Sequence, residues 1–231
     1  MTVSIVIPAF DEANTIAACV REAKNCKEAT EVIVVDDGSS DGTAEAASAT
    51  GARVIKLARN GGKAAAMNVG VAEARHDVIL FLDADVTGVT PEAMSRILQP
   101  VLQGQYEMFV GLRERKTVWL NRLMHFFPII GGERAITRRL WEAVPKNYRE
   151  GFKIEIALNH TSKQFERGMG FEFISGTHHH IKEQKYGLWL GFIRRMLMVA
   201  DVVAISVQIY IWDPAALKVR RAMVSMKEWL A

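Results

Sequence analysis

Two carboxylates one residue apart, Asp83 and Asp85, follow an apolar run over residues 78–82 that is typical of a buried strand. Such a strand delivers the residues after it to the carboxyl edge of a parallel sheet, where ligands of open α/β sheets bind. Two neighbouring carboxylates repel each other unless a positive charge lies between them. Their oxygens suit Mg²⁺ or Mn²⁺ bridging to a phosphate, although an isolated pair also fits a solvated turn. The pair predicts a metal site if nearby loops supply further binding groups.

Two other loops carry groups that could bind such a ligand. Asp36 and Asp37 directly follow a second apolar run, where a carboxylate can accept hydrogen bonds from base N–H groups or ribose hydroxyls, while Asp41 is placed to cap the next helix. The segment 60–63, Asn-Gly-Gly-Lys, opens an alanine-rich helix pattern. Its backbone N–H groups, the helix dipole and Lys63 could therefore face an anion, although the spacing is not that of a P-loop and a plain loop fits as well.

The first hundred residues alternate strand and helix patterns with short connections, which is typical of a parallel βαβ series. Strands are predicted at Val3–Pro8, Glu31–Asp36, Arg53–Leu57 and Val78–Leu82. Helices are predicted at Glu12–Asn25, Gly42–Thr50, Gly62–Ala74 and Pro91–Gln103. Right-handed crossovers would bring the loops after successive strands to one edge of the sheet, so the predicted fold class is α/β.

Beyond residue 105 the pattern is less regular. Strands are predicted at Glu107–Leu112 and Phe171–Ser175, and helices at Val118–Phe127 and around Phe152–Gln164. A turn at residues 131–134 is predicted to open one more helix. From Tyr186 to Trp212 the chain is apolar and rich in aromatic residues.

Composition limits the classes of function. A chain of 231 residues can bury a full core, and its net charge of +3 is too small to favour nucleic acid as a partner. Cys19 and Cys26 have neither zinc-site nor C-x-x-C spacing, which predicts free thiols in a reducing compartment. The chain enters a strand pattern at once without a signal-peptide pattern, so the expected location is cytoplasmic.

Four segments, taken in order, resemble the signatures of glycosyltransferase family 2: residues 4–12, 34–43, 60–63 and 81–85. The resemblance implies an enzyme of GT-A fold, with a Rossmann-like, mostly parallel sheet flanked by helices. It also implies a nucleoside-diphosphate sugar donor, with GDP-mannose or UDP-glucose as the expected donors, and a Mg²⁺ or Mn²⁺ cofactor. The nucleotide would then be bound by Pro8, Ala9, Glu12, Asp37, Lys63 and Asp83.

The resemblance also assigns the metal site. Asp83 and Asp85 would hold the metal, with Asp85 essential for catalysis. A late histidine completes this site in many GT-A enzymes, and within residues 178–180 we expect His180 to take that place. The alternative is a polar loop. Thr87 stands where a glutamine can help hold the metal in some relatives, which leaves the third protein ligand open.

Residues 132–139 and 151–155 resemble segments of polyprenyl-phosphate glycosyltransferases such as dolichyl-phosphate mannose synthase. In that group two arginines receive the lipid phosphate, which maps onto Arg113 and Arg134. Bidentate guanidinium groups suit a phosphate, although Arg134 could instead be solvated on a helix surface. The predicted reaction is therefore inverting transfer of a hexose to a polyprenyl phosphate, an acceptor that is already anionic and needs no strong base.

Two other functions stay open. An acceptor hydroxyl on a saccharide or small molecule would need a carboxylate base, for which Glu133, Glu150 and Glu155 are candidates; Glu155 could equally be the buried partner of a lysine or arginine. The chain could also be a non-catalytic scaffold that binds nucleotide sugars, although the intact acidic loops argue against this.

The expected organisation is a GT-A catalytic domain over residues 1–182, with a nucleotide-sugar part at 1–112 and an acceptor part at 113–182. Residues 183–231 are predicted to form amphipathic helices. The apolar stretch 196–212 is shorter than the roughly 20 residues that span a bilayer and contains Asp201. Flanking aromatic and basic residues suit helices in the headgroup layer, hence peripheral contact at the cytoplasmic membrane face, or else an ordinary core helix.

Overall fold

The computed structural model describes residues 2–113, 133–151, 153–174, 178–179, 204 and 206–209, with the backbone alone at 87, 113, 178 and 179. The chain divides into two compact units, residues 1–181 and 182–231. The predicted helix at Val118–Phe127 and nearly all of the predicted amphipathic helices lie outside the described residues. In the segments that are described, no helix is long and apolar enough to cross a membrane.

Seven strands form one sheet in the order β3-β2-β1-β4-β7-β6-β8. They are β1 (Val3–Ala9), β2 (Ala29–Asp36), β3 (Arg53–Lys56), β4 (Val78–Phe81), β6 (Met108–Arg113), β7 (Glu133–Thr137) and β8 (Met169–Ile174). Strand β7 is antiparallel to both neighbours, and the other pairs are parallel. The α/β prediction with a mostly parallel sheet is confirmed. Two further short strands, β5 (Val86–Thr87) and β9 (His178–His179), pair with each other.

Helices cover both faces of this sheet. They are α1 (Ile16–Asn25), α2 (Thr43–Ser48), α3 (Lys63–Glu73), α4 (Pro91–Leu102), α5 (Arg138–Ala143) and α6 (Lys153–Ser162), with a 3₁₀ turn at Lys146–Tyr148. Ile5 and Ile7 of β1 join one core with apolar residues of α1 and α4. Between them Val6 points the other way, as the period of a strand requires, and meets Gly70 of α3, where any Cβ would collide with the valine. Gly70 therefore sets how closely α3 approaches β1.

The prediction for the start of α1 was wrong by four residues. The helix begins at Ile16 instead of Glu12, and residues 12–15 form a turn whose first backbone N–H groups bind side chains of the next loop. Glu12 N donates to Thr43 Oγ1 at 2.8 Å, and Ala13 N donates to an Asp41 carboxylate oxygen at 3.0 Å. Asp41 also accepts from the N–H of Thr43 at 3.1 Å, so it caps α2 as predicted, although Gly42 is the residue at the N-cap position itself.

The predicted helix after residues 131–134 was also wrong. Glu133 and Arg134 begin strand β7, which lies between β4 and β6, and the helix starts only at Arg138. Thr137 caps that helix by accepting the N–H of Leu140. Arg134 is consequently a buried strand residue, and the alternative that it is solvated on a helix surface is wrong.

Glu28 links α1 to α4. Its carboxylate, with a side chain 7% exposed, accepts hydrogen bonds from Ser95 Oγ at 2.6 Å and Gln99 Nε2 at 2.9 Å. Burial raises the pKa of Glu28, but these hydrogen bonds outweigh it, and the net pKa lies below the ordinary value of 4.5. A lowered folded-state pKa means that the stabilisation is full above the unfolded pKa and is lost as the pH falls through the folded pKa.

We therefore expect Glu28→Gln to lower the free energy of unfolding by about 1–2 kcal/mol at neutral pH, and by less as the pH drops below 4.5. Urea unfolding of the wild type and the variant across that range measures the difference. Ser95→Ala should remove part of the same pH-dependent stability. A difference that stays constant or grows on acidification would contradict this account.

Candidate active site

The loops after β1, β2 and β3 lie at one edge of the sheet and are hydrogen-bonded to one another. Asp11 N donates to Ser39 Oγ at 2.9 Å, and Ser40 N returns a bond to Asp11 Oδ1 at 3.1 Å. The N–H of Asp37 donates to the carbonyl of Ala9 at 2.8 Å. Asp11 has a φ of 53°, a conformation that costs energy for a residue with a Cβ, so these bonds hold a strained turn in place. The three loops form one connected unit.

Asp37 is 2% exposed and uses both carboxylate oxygens within the protein. Oδ1 accepts the N–H of Gly61 at 2.8 Å, and Oδ2 accepts the N–H of Gly62 at 2.7 Å. The glycine loop was predicted to offer its N–H groups to an anion of the ligand, but two of them bind this aspartate. Gly38, at φ 76°, permits the approach, since a Cβ there would lie 2.8 Å from the carbonyl carbon of Arg59.

Lys63, the first residue of α3, bridges two acids that are distant in sequence. Its Nζ lies 2.7 Å from Asp83 Oδ1 and 3.1 Å from Glu155 Oε1. Burial lowers the pKa of Lys63, but the Asp83 and Glu155 carboxylates raise it by more, so the ammonium stays charged at neutral pH. The lysine thus places a fixed positive charge against the first carboxylate of the Asp83–Asp85 pair.

Arg134 reaches the same cluster from strand β7. It pairs in register with Phe81, two residues before Asp83, and its Nη2 lies 3.9 Å from Glu155 Oε2. The Arg134 side chain is only 3% exposed. The backbone of Arg113 ends β6 at this edge, while its side chain lies outside the described residues. Glu155 therefore lies between two cations, Lys63 and Arg134. This is the alternative role considered for it, that of a buried partner of a lysine or arginine, as opposed to a base.

The small sheet brings the histidine segment next to the loop that carries Asp83 and Asp85. In the antiparallel β5–β9 pair, Val86 is opposite His179 and Thr87 is opposite His178. Val86 directly follows Asp85, so the β9 backbone lies beside the predicted metal site. His180 itself is outside the described residues. The sequence offered no signal for this pairing, because two-residue strands have too little pattern to detect.

Asp83 and Asp85 fit a divalent cation by their chemistry. Both are half-buried oxygen donors at the end of β4, and the ammonium of Lys63 already occupies a cation position against Asp83. No group of three His, Cys, Asp or Glu side chains that could hold a metal exists in the described parts of the chain. The two aspartates would supply carboxylate ligands to such a cation.

The other predicted nucleotide ligands lie on the same edge. Pro8 and Ala9 are buried at the end of β1. Glu12 is half-buried in the following loop and accepts a hydrogen bond from Thr15 Oγ1 at 3.0 Å. The structure thus brings Ala9, Asp37, Lys63 and Asp83 to the same edge of the sheet.

Cys19 packs behind the loop that carries Asp83 and Asp85, which was not predicted. Its thiol donates to the carbonyl oxygen of Asp83 at 3.8 Å. Burial, followed by the charge of Asp83, raises the pKa of Cys19 to about 12, so the thiol stays protonated at neutral pH. The role of Cys19 is packing and hydrogen bonding. Its position on α1, three residues before Glu22, gave no sequence signal for this contact.

Strand order and the loops at the carboxyl edge of the sheet are those of the GT-A fold. Glucosyl-3-phosphoglycerate synthase from Mycobacterium tuberculosis, solved with Mn²⁺, UDP and phosphoglyceric acid, superimposes with a TM-score of 0.73 at 22% sequence identity. The superposition covers 90% of this chain and 78% of that one. At this identity the likeness establishes the fold.

The model of the family "Glycosyl transferase family 2" matches residues 4–156, and the chain belongs to that family. An undecaprenyl-phosphate 4-deoxy-4-formamido-L-arabinose transferase from Aeromonas hydrophila is 33% identical over 130 residues, 52% of this chain and 40% of that protein. A glucosyl-3-phosphoglycerate synthase from Mycolicibacterium paratuberculosis is 28% identical over 194 residues, 68% of this chain and 58% of that protein. The chain thus spans about 40% of the length of the first of these relatives.

Proposed function

We propose that this glycosyltransferase moves a hexose from a nucleoside-diphosphate sugar to a polyprenyl phosphate, with inversion at the anomeric carbon and with a divalent metal. The observation that carries the proposal is the meeting of Asp37, Lys63 and Asp83 on neighbouring loops, with Lys63 Nζ 2.7 Å from Asp83 Oδ1. A diphosphate bound there would meet both a cation site and an ammonium. Relatives that act on undecaprenyl phosphate support the lipid acceptor.

Each group has a defined task in this reaction. Asp37 and the loops locked to it would shape the nucleoside pocket, and Asp83 and Asp85 would hold Mg²⁺ or Mn²⁺. The metal supplies charge stabilisation for the departing diphosphate. The ammonium of Lys63 would stabilise the same negative charge. His179 pairs with Val86, the residue that directly follows Asp85, and this pairing supports His180 as a further metal ligand.

In the transfer step a phosphate oxygen of the acceptor would attack the anomeric carbon from the side opposite the diphosphate. One C–O bond forms, the C–O bond to the diphosphate breaks, and the nucleoside diphosphate leaves with the electron pair. The attacking oxygen is already anionic, so no proton has to be removed. Arg113 and Arg134 would hold the acceptor phosphate.

We also propose peripheral attachment at the cytoplasmic membrane face through residues 183–231, because a polyprenyl phosphate must be met at the bilayer surface. The aromatic and basic residues of that segment suit the headgroup layer. The donor sugar proposed first is mannose from GDP-mannose or glucose from UDP-glucose.

The direct test supplies the purified chain with Mn²⁺, radiolabelled UDP-glucose or GDP-mannose, and undecaprenyl phosphate in detergent micelles. Label that enters the organic phase only when the lipid phosphate is present would support the proposal. Omitting the lipid and adding 3-phosphoglycerate tests the second candidate, transfer to a small-molecule hydroxyl, which the likeness to glucosyl-3-phosphoglycerate synthases favours. Label recovered on 3-phosphoglycerate, after chromatographic separation from the unreacted nucleotide sugar, would replace the lipid proposal.

Glu155 distinguishes the two acceptor classes. If Glu155 serves only as the partner of Lys63 and Arg134, Glu155→Gln should lower kcat/KM by roughly tenfold. The shape of the pH–rate profile should then stay unchanged. Loss of a general base would cost about 100- to 10,000-fold and remove the limb that its titration produces. The profile of kcat/KM against pH measures this.

Glu142→Gln provides a matched control on the neighbouring helix α5, where the glutamate is exposed, and should behave as wild type. A Glu155→Gln variant with a lost pH limb and a rate restored by an added small carboxylate would point to a hydroxyl acceptor and a glutamate base.

A further inference from the structure

Lys63 lies where a cation held by Asp83 would lie. Its Nζ is 2.7 Å from Asp83 Oδ1, and the Asp83 side chain is 22% exposed. A carboxylate oxygen that pairs with an ammonium at this distance has its charge largely compensated. A divalent ion approaching Asp83 would meet both a weakened ligand and a nearby like charge.

The ammonium also has a second anchor. Glu155 Oε1 lies 3.1 Å from Lys63 Nζ, and the Glu155 side chain is 7% exposed. Lys63 can therefore leave Asp83 by a small rotation without losing all of its counter-charge. Its own side chain is 38% exposed, so the ammonium has room to turn toward a ligand at the sheet edge.

We propose that Lys63 and the divalent cation compete for Asp83, and that the donor diphosphate relieves this competition by drawing the ammonium away while Glu155 keeps it in reach. This inference rests on the proposed use of a metal and a nucleotide sugar, and it deepens that function. Nucleotide binding would then tighten metal binding, and by thermodynamic reciprocity the metal would tighten nucleotide binding by the same factor. Lys63 acts as a positioning residue that couples the two ligands.

The test measures Mn²⁺ affinity by electron paramagnetic resonance of the free ion, alone and with saturating UDP or GDP. Lys63→Gln should bind Mn²⁺ alone about fivefold more tightly than wild type, the size expected for removal of a partly exposed ion pair. With nucleotide present this gain should disappear, because in the wild type the ammonium has already moved. Lys63→Arg, which keeps the charge, should resemble wild type in both conditions.

Lys56 provides a matched control. Lys56 lies at the same sheet edge, at the end of β3. Its Nζ is 3.9 Å from a carboxylate oxygen of the buried Asp36, and the Lys56 side chain is 50% exposed. Lys56→Gln removes the same charge from a neighbouring carboxylate that is not part of the Asp83–Asp85 pair. It should leave Mn²⁺ affinity within about twofold of wild type in both conditions.

The outcomes are separable. An equal gain for Lys63→Gln with and without nucleotide would reveal a general charge effect and overturn the inference, as would no gain at all. Absence of any Mn²⁺ binding by the wild type, with or without nucleotide, would overturn both the inference and the proposed metal. Suppose that Lys63→Gln binds Mn²⁺ more tightly than wild type only in the absence of nucleotide, but no label enters the organic phase. That result would overturn the lipid acceptor alone. Thermal unfolding of each variant confirms that folded protein was compared.

Discussion

Replacing Asp85 by alanine is expected to lower glycosyl transfer by roughly a thousandfold or more, since it removes a proposed carboxylate ligand of the cation that stabilises the departing diphosphate. Asp85 is half-buried at the end of β4, where the chain turns into β5, so truncation should leave the strand itself in place. Initial rates of label transfer with saturating donor, at several Mn²⁺ concentrations, measure the loss. Raising Mn²⁺ should not restore the rate.

Asp77 at the opposite end of β4 provides the control. It precedes the strand that Asp83 and Asp85 follow, and its side chain is 97% exposed. Asp77→Ala removes the same charge from the same strand and should leave the rate within about twofold of wild type. A rate for Asp85→Ala near that of wild type, with a chelator present, would end the proposal of a metal at this site.

Replacing Asp37 by asparagine is expected to lower the free energy of unfolding by about 2–4 kcal/mol, because charge-assisted hydrogen bonds to backbone N–H groups are among the stronger ones. Both carboxylate oxygens accept, from Gly61 N at 2.8 Å and from Gly62 N at 2.7 Å, and an amide can offer only one acceptor atom. The NH₂ group would face an N–H donor, so the glycine loop should shift. Urea unfolding and calorimetric binding of UDP and GDP measure the two effects, and we expect nucleotide affinity to fall at least about tenfold.

Asp41 is a control of the same residue type in the same loop. Its carboxylate also accepts two backbone N–H groups, from Ala13 and Thr43, but the residue is exposed. Asp41→Asn should therefore cost about 1 kcal/mol or less and leave nucleotide affinity near that of wild type. Equal losses of unfolding free energy and nucleotide affinity for the two variants would contradict this account. They would show that neither the burial of Asp37 nor its hydrogen bonds to the glycine loop contribute to these properties.

The first half of the fold was predictable because its signals are local. The apolar run before Asp83 has the length and flanks of a buried strand, and the structure has β4 at Val78–Phe81. Likewise, the alanine-rich segment after Gly62 became α3. Periodicity and turn residues within about ten positions were sufficient for these elements.

The errors arose where distant parts of the chain decide the structure. Glu133 and Arg134 form a strand because β4 and β6 flank them, and pairing across the sheet leaves no mark in a single segment. The turn before α1 is bonded to the next loop, where Thr43 accepts the N–H of Glu12, and no pattern within the α1 segment shows this contact. For the same reason the sequence named Lys63 and Glu155 separately but did not predict their contact, which joins residues 92 positions apart.

The bonds among the first three loops limit how this protein can be redesigned. Because Asp11 binds the Ser39 turn and Asp37 binds Gly61 and Gly62, a chimaera that imports one loop from a homologue would break contacts to the two it leaves behind. Changing the proposed nucleobase preference by transplantation would therefore require residues 9–13, 36–43 and 59–63 to be exchanged as a set.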